Sequence, residues 1–83
     1  MSNPRFENPI LVQADSAGGT FEIADVQTCN DFLLRRWPGK RGDKHRAALQ
    51  ACMDTASGKK LASNARKAFW AAAREAGILI NPV

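Results

Sequence analysis

Eighty-three residues, 45% of them hydrophobic and 24% charged, point to one small domain (residues 1–83) of ordinary globular composition. No run approaches the ~18 apolar residues of a membrane span. The start Met1-Ser2-Asn3-Pro4 lacks a charged region followed by an apolar run, so a cytoplasmic chain with reduced thiols is expected.

Taken in order, residues 1–8 are polar, with prolines at 4 and 9, and read as a loose N-terminal segment in which Phe6 can fold back onto the sheet. Ile10-Leu11-Val12-Gln13-Ala14 is a strand signal. Asp15-Ser16-Ala17-Gly18-Gly19 is a turn, and Thr20-Phe21-Glu22-Ile23-Ala24 alternates apolar with polar, so the two runs predict an antiparallel hairpin. A lone hairpin is unstable in water, which requires helices over one face.

Asp25 is the expected N-cap of the first helix, followed by an apolar stripe of Val26, Cys29, Phe32, Leu33 and Trp37. Trp37-Pro38-Gly39 ends that helix, because proline disfavours helical backbone in the residue before it. Asp43 is the expected cap of a second helix running to about Ala56, with His45, Ala48, Leu49, Cys52 and Ala56 inward and Ser57-Gly58 closing it. Lys59-Lys60 opens a third, alanine-rich helix whose inner face is Leu61, Ala65, Ala68, Phe69, Ala72 and Ala76, and Gly77 ends it. Ile78-Leu79-Ile80 reads as a short last strand. The expected fold is α/β of the α+β type, a two- or three-stranded antiparallel sheet on three helices in the order β-β-α-α-α-β.

The hairpin, Leu33-Leu34 with Trp37-Pro38, then His45, Ala48, Cys52 and Gly58, then Ala65-Arg66-Lys67-Ala68-Phe69 and Ala72-Ala73-Arg74-Glu75-Ala76-Gly77-Ile78 form a recognisable succession. It resembles the small alpha-proteobacterial family, frequent in rhizobia, called domain of unknown function 982. The resemblance runs roughly from Ile10 to Ile80. It implies an α/β fold with a small sheet and packed helices. It implies no activity, and no functional residue carries over from it.

Charge is unevenly placed. Residues 1–34 hold one basic side chain against five acidic ones, and residues 35–83 hold eleven against three. Arg35, Arg36, Lys40, Arg41, Lys44 and Arg46 gather half of all the Lys and Arg in twelve residues, with Trp37 and His45 interleaved. Cations there can neutralise phosphates and an indole can stack on a base. Against this, Trp37 sits at core spacing, and neither a helix-turn-helix nor an aromatic RNA-binding motif is evident. Gly39-Lys40 and Gly58-Lys59-Lys60 lack the glycine spacing of a phosphate loop, and Arg41-Gly42-Asp43 reads as a chance tripeptide.

Cys29, Cys52 and His45 raise metal or nucleophile chemistry. With no close cysteine pair in sequence, one histidine and both thiols on apolar stripes, the cysteines read as small buried hydrophobes. Arg66 is expected to dock the third helix against Asp25, Asp31 or the sheet. Trp70, if exposed, marks an interface.

The expectation is therefore a protein-interaction or self-association module with an unknown protein partner or a second copy. No enzyme activity, cofactor, metal or membrane is expected. The alternative is an accessory nucleic-acid binder using the segment 35–46 with Lys59, Lys60 and Lys67. The candidate contact residues are Arg35, Arg36, Lys40, Arg41, Lys44, Arg46, Lys59, Lys60 and Trp70.

Overall fold

The computed structural model describes residues 5–13, 19–38 and 41–80. Strand β1 (Arg5–Gln13) pairs antiparallel with β2 (Thr20–Asp25), setting Ile10 opposite Ile23, Val12 opposite Phe21 and Gln13 opposite Thr20. The alternation works as period two requires. Ile10, Val12 and Ile23 are buried, while Leu11 and Glu22 face out. Helix α1 (Val26–Asp31) follows β2 directly and runs into a π-helical turn, Phe32–Arg36. Helices α2 (Asp43–Ala56) and α3 (Ala62–Ala76) complete the helical layer. The fold is α+β in the order β-β-α-α-α.

The last strand is reduced to one bridge. Leu79 lies opposite Val12, flanked by Gln13 N–H donating to Ile78 O at 2.8 Å and Ile80 N–H donating to Leu11 O at 2.9 Å. It therefore adds a third edge to the sheet without the length of a strand. The expected turn at 15–19 lies outside the described residues except for Gly19, as does Asn81-Pro82.

The expected loose segment 1–8 is corrected in part. Residues 1–4 lie outside the described residues, but Arg5–Asn8 belong to β1. The pairing breaks register between Arg5, opposite Asp25, and Ile10, opposite Ile23. This inserts extra residues that bow the strand, and Pro9, which has no N–H to give to a ladder, sits within the bow. Phe6 turns inward and is buried. The Asn8 carbonyl is turned to helix α3, where Arg66 Nε donates to it at 2.8 Å. Arg66 does dock its helix to the sheet, through a backbone carbonyl and not the expected carboxylate.

Asp25 caps α1 as expected, its Oδ1 accepting from Thr28 N–H at 2.7 Å. All five stripe residues of this helix are buried. Phe32 is the hub. It stacks on Phe21 at 5.6 Å between centroids and meets Trp37 and Phe69 edge-on at 5.9 and 5.8 Å. Trp37 in turn meets His45 at 5.2 Å.

Three helix-end expectations are corrected. Gly42, not Asp43, is the N-cap of α2, and Asp43 is its first residue, where a carboxylate suits the positive end of the helix. Lys59 and Lys60 stay in the linker, with Leu61 as the N-cap of α3. Leu61 is 73% exposed and is no part of the core. The inner faces shift accordingly to His45, Ala48, Ala51, Cys52 and Thr55 on α2 and Ala65, Phe69, Ala72 and Ala73 on α3. Alanine at these positions lets the two backbones approach closely. Gly77 closes α3 at φ 75°, a conformation that costs glycine nothing, and Ile78 N–H returns to Ala73 O at 3.0 Å.

Candidate functional site

The basic segment is partly consumed by the fold. A helix ends with carbonyls that have no partner within it. Here two of them are captured from beyond the π turn. His45, buried on α2, holds its Nε2 at 2.7 Å from Leu33 O, and Arg41 Nη2 donates to Leu34 O at 2.9 Å. Arg35 pairs with Asp31 at 3.3 Å, Arg46 with Asp43 at 3.6 Å and Lys60 with Asp54 at 3.9 Å. Arg36 lies over the Phe21 ring at 5.4 Å. Lys44, Lys59 and Lys67 are exposed, and Lys40 lies outside the described residues. Exposed pairs of this kind contribute little to stability. They give Arg35 and Arg46 a carboxylate each, while Arg36 is held by a ring and Arg41 by a backbone carbonyl. Trp37, 8% exposed, is a core residue with no face free for a base.

Trp70 is different. It is half-buried on α3 and carries the Arg74 guanidinium over its ring at 5.5 Å, a cation–π contact that holds both side chains in place. The pair forms a ridge between two shallow grooves. One groove, about 410 Å³, is lined by Trp70, Arg74, Gly77, Leu79 and Ile80. The other, about 390 Å³, is lined by Lys44, Trp70, Ala71, Arg74 and Glu75. The first groove runs along the free edge of the sheet. Because Ile78 O and Ile80 N–H are spent on β1, the N–H and C=O of Leu79 point away from it. Neither group has a hydrogen-bond partner among the described residues. Ile80 is 43% exposed, and Leu11, its neighbour in the ladder, is 37% exposed, so the open edge has an apolar margin.

Of the sites weighed from sequence, the structure brings Trp70 and Lys44 to one groove. Sequence reading placed Leu79 and Ile80 in the last strand but named neither of them, nor Arg74, as a contact residue. The signal available for them was slight: Arg74 is four residues after Trp70 and so shares its helix face.

A cleft of about 400 Å³ lies beside His45, lined by Trp37, Gly42, His45, Ala72, Glu75 and Ala76. Cys52 is not among its walls. It is turned the other way, to Cys29, and the two free thiols lie Sγ to Sγ at 3.2 Å in the core. Burial pushes the Cys29 thiol far up, and the hydrogen bond between the two sulphurs lowers Cys52. Among the described residues no group of three or more His, Cys, Asp or Glu is placed to hold a metal ion. None of the helices described is long and apolar enough to cross a membrane.

Comparison with known proteins agrees with this geometry. Residues 8–80 match the family model described as "Protein of unknown function (DUF982)". The NMR structure of the Agrobacterium tumefaciens protein Atu1219 is similar over 96% of this chain and 79% of that one, at 32% identity and a TM-score of 0.76. Among curated proteins there is no match.

Proposed function

The chain belongs to the DUF982 family of proteins of unknown function, which brings it no inherited activity, and from that starting point we propose that it is a protein-interaction module. Its occupant is an extended, acidic segment of a partner protein, laid along the free sheet edge. The observation that carries this reading is the Trp70–Arg74 ridge beside the outward-facing Leu79 backbone. An added strand takes its hydrogen bonds from the edge and its specificity from alternate side chains. Leu79 supplies one donor and one acceptor. Trp70 and Ile80 supply apolar surface, and Trp and Arg are the residue types enriched where binding energy concentrates. Arg74 and Lys44, on a chain of net charge +4, favour carboxylates over a second copy of the same basic molecule. The reading assigns no catalytic step and places the chain in the cytoplasm.

The test is a titration of the full chain with a synthetic peptide of alternating valine and glutamate, beside the same peptide with lysine for glutamate and a short single-stranded oligonucleotide. Binding of the acidic peptide alone, weakened about tenfold or more by Trp70→Ala and by Arg74→Glu, is expected. Each of those losses corresponds to at least ~1.4 kcal/mol. Binding of the oligonucleotide with a steep salt dependence, lost on reversing Arg35 and Arg36 to glutamate, would replace this reading with the nucleic-acid one. A concentration-dependent dimer without peptide would replace it with self-association.

A further inference from the structure

The two cysteines stand 23 residues apart in the chain, yet the fold brings their sulphurs to 3.2 Å across the α1–α2 contact. We propose that Cys29 and Cys52 are an oxidation site, a buried dithiol that closes to an intramolecular disulfide and fastens α1 to α2. A disulfide needs an S–S length of about 2.05 Å, so the sulphurs have to close by roughly 1.2 Å. Neither cysteine lines the docking surface on α3.

The oxidant is hydrogen peroxide. The Cys52 thiolate attacks the terminal peroxide oxygen, the O–O bond breaks, and Cys52 becomes a sulfenic acid while hydroxide leaves and takes up a proton as water. The Cys29 sulphur then attacks the Cys52 sulphur. The S–S bond forms, the S–O bond breaks, and the hydroxyl leaves as a second water with the Cys29 proton. Two thiols and one hydrogen peroxide give one disulfide and two waters. The two sulphurs are buried alike and lie 3.2 Å apart, so the balance is the same whichever of them attacks first. Both sulphurs are buried, so the reaction waits on local opening and proceeds more slowly than at an exposed cysteine.

The experiment treats the full chain with hydrogen peroxide and then alkylates it in denaturant. A monomer lighter by two hydrogens, closed to alkylation until dithiothreitol is added, is expected. Its Tm should exceed that of the reduced chain by roughly 10 °C or more, as a cross-link over a loop of this length implies. The Cys29→Ala chain treated in parallel should show no such rise. Two free thiols after treatment, disulfides formed only between molecules, or an equal rise in Cys29→Ala would each overturn the proposal.

Discussion

Phe32 sits where the layers of this molecule meet. It is fully buried and joins the hairpin, the end of the first helix and α3 through rings at 5.6, 5.9 and 5.8 Å. A chain of this length is expected to hold only about 4–12 kcal/mol of stability in all. Removing a buried phenylalanine costs about 3–5 kcal/mol. Phe32→Ala should therefore be unfolded or nearly so at 37 °C, while Phe32→Leu keeps the fold with a lowered Tm. Thermal unfolding followed by circular dichroism distinguishes them. A Phe32→Ala chain melting within a few degrees of the natural one would show that the aromatic cluster does not hold the layers together. The importance of Phe32 was legible in part. Its place on the stripe with Val26, Cys29, Leu33 and Trp37 marks it as core, but nothing local says that Phe21 and Phe69 meet on it.

At the scale of elements, legibility follows the range of the forces. The hairpin, the cap at Asp25 and the glycine stops at Gly58 and Gly77 are written in neighbouring residues, and the structure has them where the sequence puts them. The π turn is not local. It is compatible with the chain only because His45 and Arg41, further along, take up the carbonyls of Leu33 and Leu34. The bow in β1 is likewise answered from a distance by Arg66. The same dependence explains why Lys59, Lys60 and Leu61 stay out of α3. Helix propensity favours starting there, but Thr55 Oγ1 donates to Leu61 O at 3.2 Å, and Lys59 and Lys60 N–H both bond to Asp54 O, which holds the linker as a turn.

His45 offers the sharper test of this level. Replacing it by alanine leaves a buried carbonyl unpaired and opens a gap beside Trp37. The expected loss is about 1–3 kcal/mol. Arg41→Ala, at an exposed bond, should cost no more than about 1 kcal/mol. Denaturant unfolding of the two variants measures both. Equal losses would mean that the turn is not held through Leu33.

Over the whole molecule, the divided charge is the feature that sequence states most plainly and explains least. The structure sorts it. Much of the basic segment closes helix ends or pairs with neighbouring carboxylates, and Trp37 between them serves the core. The surface left with unspent backbone, exposed apolar area and an ordered cation is elsewhere, on α3 and the sheet edge. No periodicity reveals it, because the edge exists only once Leu79 has paired with Val12 across most of the chain.

The docking of an extended segment there is the central claim, and amide hydrogen exchange at Leu79 tests it most directly. In the free chain Ile80 N–H is bonded to Leu11 O, and Leu79 N–H has no hydrogen-bond partner among the described residues. Ile80 should thus exchange more slowly than Leu79. Saturation with the valine–glutamate peptide should protect Leu79 at least about tenfold, because its N–H then lies in a ladder. The Trp70→Ala chain at the same peptide concentration should show little of that protection. Peptide binding that leaves Leu79 exchanging as fast as before would contradict the account, since it would place the partner somewhere other than the sheet edge.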